Sequence, residues 1–144
     1  MRGDVFVDTN VWLYALVLEP GEEAKHDCAK QLIAGLGRCT VSTQVIAEVS
    51  VNLLKKAGMR EPDLIEIVED FYASHRVQDT GLGCHRRASD LRSRFALSFW
   101  DSLVLAAARE AGCSVFYSED MQHGLQIDDR LRIVNPFAPA EPTG

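Results

Sequence analysis

Val5-Phe6-Val7 runs straight into Asp8-Thr9-Asn10 and then into Val11-Trp12-Leu13, with Ala15 and Leu16 behind, so a strand-forming run gives way at once to a helix-compatible one. Such a switch makes a βα unit. It also traps a carboxylate between two elements whose apolar residues want burial, which is unfavourable unless a hydrogen-bond donor or a cation meets it. What meets Asp8 is therefore the first clue to function.

The same alternation repeats along the chain. Asp4–Val7 reads as the first strand, and Glu19-Pro20-Gly21 as a break. A helix follows over 22–36, with apolar positions at helical spacing up to the Gly35–Gly37 segment, and then a short strand over 39–42. From Thr43 to Ala57 the residues Val45, Ile46, Val49 and Leu53 recur at intervals of three and four, and Gly58 stops the pattern. Pro62 opens a helix to about Ser74, Val77 sits in a short strand, and 84–95 reads as a basic helix. Phe99–Ala111 is apolar on nearly every face and must lie inside the domain. Gly112 ends it, 115–117 and 131–134 are the last strands, and the tail from Ala138 is expected to be loose. Strands alternating with helices imply a parallel sheet covered on both sides, in which ligands collect at the carboxyl ends of the strands.

A chain of 144 residues supports one core and is too short for two ordinary domains. The start of the chain lacks the layout of a secretory signal, no apolar run has the length of a membrane span, and the expected location is the cytoplasm. Cys28, Cys39, Cys84 and Cys113 form no C-x-x-C pair and read as free, buried thiols, and the histidines show no zinc-like grouping. The formal net charge of −6 argues against holding nucleic acid by bulk positive charge. Arg86, Arg87, Arg92 and Arg94 are a local exception, with a smaller group at Lys55, Lys56 and Arg60. Taken alone, either cluster reads as a solvated helix face.

Four acids stand where an apolar element ends or turns its inner face. Asp8 follows the first strand and could simply cap the next helix. Asp101 fits a capping box with Ser98 and, taken singly, reads as structural. Asp120 follows the strand at 115–117 and could belong to an Asx-turn. Glu48 lies beside Val45 and Val49, at the border of the core-facing stripe, where a surface glutamate would not sit. If the four converge they repel, raising one another's pKa or requiring a cation. Oxygen donors without Cys or His select a hard ion such as Mg2+ or Mn2+. There is no P-loop, no complete dinucleotide fingerprint and no G-x-S-x-G elbow.

VFVDTNVWLYAL with Asp8, STQVIAEV with Glu48, SFWDSLVLAAA with Asp101 and VFYSEDMQHG with Asp120 together resemble the PIN domain nucleases, and within them the VapC toxins of bacterial toxin-antitoxin pairs. The terminal IVNPF resembles the last strand and exit of these toxins, so the likeness spans residues 4–137 and implies a single domain over 1–137. The resemblance implies a three-layer α/β/α sandwich with a mainly parallel central sheet, and endoribonucleolytic cleavage by metal-activated water at a Mg2+ or Mn2+ site. Asp8, Glu48, Asp101 and Asp120 become the expected catalytic acids. Asp8 and Asp101 are then direct ligands, with Asp120 also assigned to the metal, and Glu48 and Asp120 acting through water or on a second ion.

Ser118 and Asn10 match polar positions near that pocket, and Glu119 is expected to point elsewhere. The arginines at 86, 87, 92 and 94 become candidate contacts for the RNA backbone. Implied partners are the RNA substrate, a cognate antitoxin that covers the acidic pocket, and a second copy in a homodimer. Two other readings stand beside this one. A PIN-fold scaffold could bind RNA or protein without cutting. A Mg2+-dependent phosphatase also places Asp after its first strand, but would need a second acid where Asn10 stands.

Overall fold

The structure, a computed structural model, describes residues 4–139. Among these, the chain order is β1 (Asp4–Val7), α1 (Thr9–Leu16), α2 (Glu23–Leu36), β2 (Thr40–Ser42), α3 (Thr43–Lys55), α4 (Glu61–Ser74), β3 (Arg76–Gln78), α5 (Leu82–Arg94), α6 (Phe99–Glu110), β4 (Cys113–Tyr117), β5 (Gln126–Ile127) and β6 (Leu131–Val134). The strands form one sheet in the order β3-β2-β1-β4-β6-β5. All pairings are parallel except β5 with β6. The helices pack as two groups, α2, α1, α3 and α4 in succession and α5 against α6, which gives a three-layer α/β/α sandwich.

The chain moves from β1 to β2 and β3 on one side, then crosses to β4 on the other, so the direction of winding reverses at β1. That reversal opens a crevice beyond the carboxyl end of β1. Register sets what lines up there. Phe6 pairs with Thr40 and Val7 with Tyr117, so two residues beyond Phe6, and one beyond Val7, Asp8 falls level with Ser42 and Ser118. The ladder runs one step past the strands: the Asp8 N–H donates to the Tyr117 carbonyl and the Ser118 N–H to the Val134 carbonyl, each at 3.0 Å.

The switch from β1 to α1 is clamped from within, because the Trp12 indole N–H reaches back to the Val7 carbonyl at 3.1 Å. Its ring lies edge-on to Phe71 at 4.9 Å, tying α1 to α4. In the core of the sheet Phe6 and Phe116, both fully buried, stack with centroids 5.0 Å apart. Helix α6 is buried without a break from Ser102 to Ala108, as its apolar sequence requires, and its alanines let it approach the sheet and α5 closely. Gly112, at φ +78°, makes the turn straight into β4.

Several expectations from sequence shift here. The basic helix begins at Leu82 rather than Cys84, and the strand before Ser118 begins at Cys113 rather than Val115. Strand β5 was not anticipated. Two residues carry no periodicity, and the hairpin turn at Asp128 and Asp129 uses left-handed backbone without glycine. Of the thiols, Cys39, Cys84 and Cys113 are buried, whereas Cys28 is only partly so. Ala138 closes a turn onto the Asn135 carbonyl at 3.2 Å, and residues 140–144 of the expected loose tail lie outside the described residues. No helix among the described residues is long and apolar enough to cross a membrane.

Phe116→Ala is expected to destabilise the fold by about 3–5 kcal/mol, because the cavity beside Phe6 cannot collapse within a paired strand. Urea unfolding should register this as a lower midpoint at unchanged slope.

Candidate active site

Asp8 is the N-cap of α1. One carboxylate oxygen accepts from the Thr9 N–H at 2.8 Å, and the other from the Ser118 hydroxyl at 2.9 Å. Only 7% of the residue is exposed. Burial pushes its pKa up to about 6; the two hydrogen bonds oppose that rise, and the negative charges of Glu48 and Asp101 add to it. The capping role and the pocket role thus coexist in one side chain.

Glu48 turns inward from α3. One oxygen accepts from the Thr9 hydroxyl at 2.7 Å and the other from the Gln44 amide at 2.9 Å. The same Gln44 amide nitrogen donates to the Trp100 carbonyl at 3.3 Å, while its own oxygen is buried without a partner. Gln44 therefore bridges α3 to the start of α6.

Asp101 sits in the first turn of α6, where its N–H donates to the Ser98 hydroxyl at 3.1 Å. Only that half of the capping box forms; the Asp101 carboxylate lines the cavity instead. Burial raises its pKa, the Ser98 hydroxyl counters this, and Asp120 and Glu48 raise it further. Asp120 is more exposed. It accepts from the Asn10 amide at 2.9 Å, and the Asn10 carbonyl oxygen accepts from the Glu119 N–H at 3.1 Å, so one side chain of α1 fixes the loop after β4. Glu119 points away and pairs with Lys25 at 2.6 Å and the Tyr14 hydroxyl at 2.8 Å.

Asp8, Glu48, Asp101 and Asp120 line one cavity of about 320 Å3, together with Thr9, Asn10, Gln44, Asn52, Lys56 and Trp100. Ser118 lies beneath it as the support of Asp8. Thr9, Gln44 and Trp100 were not singled out from sequence. Thr9 had a signal, since a hydroxyl next to an acid at a helix start is a donor placed for it; Gln44 and Trp100 become visible only when α3 and α6 are brought together.

The four arginines diverge. Arg87 pairs with Glu110 at 2.7 Å, and Arg94 with Asp90 at 2.8 Å and with both oxygens of Asp128. Arg92 bonds the Ser102 hydroxyl at 2.8 Å and covers the Phe99 ring at 4.9 Å. Arg86 is exposed and makes no ion pair among the described residues.

Among the described residues, no three or more His, Cys, Asp or Glu side chains are already drawn together as a metal-ligand cluster. The chemistry of the lining nevertheless suits a hard dication. Its anionic donors are all carboxylate oxygens, and two of them are pushed toward protonation by burial and by one another, a strain that a bound cation relieves.

The PIN domain family model matches residues 5–126. The chain belongs to the PIN domain family. Its PIN fold superposes on a toxin-antitoxin complex from Klebsiella pneumoniae with a TM-score of 0.70, at 16% identity, over 93% of this chain and 98% of that one. VapC20 of Mycobacterium tuberculosis, described as a Sarcin-Ricin loop cleaving toxin, matches with a TM-score of 0.62 at 24% identity, over 78% of this chain and 87% of that one. DNA-bound VapBC from Salmonella typhimurium matches at 0.66 and 16% identity, over 92% and 97% of the two chains. No curated protein matches the chain in sequence. At these identities the likeness to the VapC toxins is one of fold.

Asp8 titrates near its ordinary 3.8 when unfolded and near 6 when folded, so the folded state holds the proton through that window. The contribution of Asp8 to the stability of the metal-free protein is then greatest below the lower value and falls as pH rises through the higher one, by about 3 kcal/mol in all. Asp8→Asn should remove the fall. In urea unfolding with chelator present, the variant is expected to match the parent at about pH 4 and to exceed it by about 1–3 kcal/mol at pH 7. A gap independent of pH would contradict the burial of the charge.

Proposed function

We propose that this PIN domain is a metal-dependent endoribonuclease that hydrolyses RNA phosphodiester bonds, and that it is the toxin of a toxin-antitoxin pair. Four carboxylates from four separate segments of chain face one cavity at the carboxyl edge of a parallel sheet, and that arrangement carries the reading. VapC20 of Mycobacterium tuberculosis, one of the structural neighbours, is described as a Sarcin-Ricin loop cleaving toxin, and the resemblance to the PIN nucleases implies a divalent ion.

Asp8 and Asp101 would hold Mg2+ or Mn2+ directly, with Glu48 and Asp120 acting through water or on a second ion. When bound, the ion supplies an activated water and stabilises charge on the phosphoryl oxygens. The other groups have assignable work. The Ser118 hydroxyl and Thr9 N–H keep the two oxygens of Asp8 pointing apart, the Thr9 hydroxyl and Gln44 hold Glu48, and Asn10 holds Asp120. All are neutral donors, so they orient the carboxylates without cancelling their charge. Because burial raises the Asp8 pKa to about 6, a cation held by this carboxylate would compete with a proton at about pH 6 and below.

Lys56, which lines the cavity, and Arg86 and Arg92, which are not committed to carboxylates, are the cations available to the substrate backbone. Arg87 and Arg94 are largely neutralised by Glu110, Asp90 and Asp128 and would contribute less. A cognate antitoxin would inhibit by covering the acidic pocket with a basic side chain, and the toxin would act as a homodimer.

The purified chain, free of antitoxin, should cut structured RNA with Mg2+ or Mn2+ and stop when a chelator is added. Asp8→Asn and Asp101→Asn should each lower the rate at least about a hundredfold, the loss of several kcal/mol of transition-state stabilisation. Turnover of a simple phosphate monoester would instead support the phosphatase, and inertness toward every RNA with metal present would leave a binding scaffold.

Replacing Arg86 and Arg92 together by Ala should weaken RNA binding and flatten its salt dependence by about 0.7 in log–log slope per lost phosphate contact. The same change at Arg87 and Arg94 should do less; affinity titrations between low and moderate salt separate the two.

A further inference from the structure

Helix α6 is buried from Ser102 to Ala108, yet it opens on two large exposed aromatic side chains, Phe99 at 46% and Trp100 at 61%. Trp100 immediately precedes Asp101. Its carbonyl is held by the Gln44 amide, and its ring packs edge-on against Phe99 with centroids 5.1 Å apart. Phe99 is itself covered by the Arg92 guanidinium. The pair is therefore braced from behind, with the exposed Trp100 ring at its outer end.

Beside Trp100 lies a second cavity of about 600 Å3, walled by Ala47, Val51 and Leu103, with the hydroxyl-bearing residues Thr43 and Thr80 also in its lining. It shares Gln44, Glu48, Asn52 and Trp100 with the acidic pocket, so the two spaces adjoin along these four residues. An apolar wall, polar residues around it and a fixed aromatic plane together suit a nucleobase. We propose that Trp100 is the stacking platform for the base next to the scissile phosphate.

This rests on the proposed nuclease activity and adds a residue that positions its substrate. Continuity with the acidic pocket favours RNA over a second copy of the chain on this face, because four residues of the second cavity also line that pocket. Lys56 lines the same pocket as Trp100 and Arg92 covers the adjoining Phe99 ring, so positive charge that suits phosphates stands near this face. A polymer whose phosphate reaches Asp101 can lay the neighbouring nucleoside on Trp100, the residue next to it in the chain. Trp100 is thus a positioning residue for the strand.

The test uses the full chain carrying Asp8→Asn, with octa-adenylate RNA and a blunt RNA duplex of equal length as probes. The single strand should quench tryptophan fluorescence, and the quenching should vanish in Trp100→Phe, since the remaining Trp12 is only 5% exposed. Trp100→Ala should weaken octa-adenylate binding by about five- to 150-fold, the range found for losing one base–aromatic stack, while Trp100→Phe retains most of it. In the active chain Trp100→Ala should raise KM more than it lowers kcat.

Equal octa-adenylate affinity in Trp100→Ala and its parent overturns the proposal. So does equal quenching by the duplex, or a Trp100→Ala chain that loses only self-association in sedimentation. Quenching without cleavage by the unmodified chain would sink the hydrolytic reading and leave the stacking one standing. Cleavage with unchanged KM in Trp100→Ala would do the reverse.

Discussion

The carboxylate of Asp8 is buried at the end of the central strand, and the arrangement of the pocket follows from how that burial is made tolerable. Two donors meet it, the N–H of the next residue and a hydroxyl from the neighbouring strand end. Neither is a cation. Hydrogen bonding of this kind lowers the penalty without removing the charge, which is why the pKa stays near 6 rather than returning to the usual carboxylate range. The serine donor is available only because β1 and β4 are parallel and in a register that sets Asp8 level with Ser118. A slip of one residue would turn Ser118 to the opposite face and leave the acid with the Thr9 N–H alone.

Around this residue the other acids repeat one device. Glu48 is held by Thr9 and Gln44, Asp120 by Asn10, and Asp101 leaves its backbone to Ser98 while its carboxylate stays in the cavity. Arginine or lysine partners would have stabilised each acid more strongly. The chain uses such partners elsewhere, at Glu110, Asp90, Asp128 and Glu119. Cationic pairing is kept for acids outside the pocket and withheld within it, where Lys56 lines the wall but pairs with none of the four. Repulsion that the fold leaves unrelieved is binding energy available to a dication.

Much of this was legible in the sequence because it depends on local signals. The βα switch at Asp8, the stripe of α3 and the all-round apolarity of α6 each declare themselves within a dozen residues, and Glu48 at the border of the α3 stripe does turn inward. Non-local features were not legible. Strand β5 exists only through pairing with β6, and the roles of Gln44 and Trp100 depend on α3 and α6 meeting at one point. The long-range pairs of the basic segment were not legible for the same reason. Glu110 and Asp128, the partners of Arg87 and Arg94, lie 23 and 34 residues away.

The orphaned oxygen of Gln44 belongs to the side chain that ties Glu48 to the start of α6. A buried acceptor without a partner costs about 1–3 kcal/mol, and a fold rarely keeps one without compensation. Here the nitrogen of the same amide makes two bonds at once, to Glu48 and to the Trp100 carbonyl. Turning the amide over would satisfy neither acceptor and would set its oxygen against a carboxylate. The strained orientation is thus the one that fixes Glu48 relative to the first turn of α6, and with it the spacing between Glu48 and Asp101. Precision in an acidic pocket is held by a neutral side chain at a local energetic cost, which the packing of α3 and α6 on the sheet offsets.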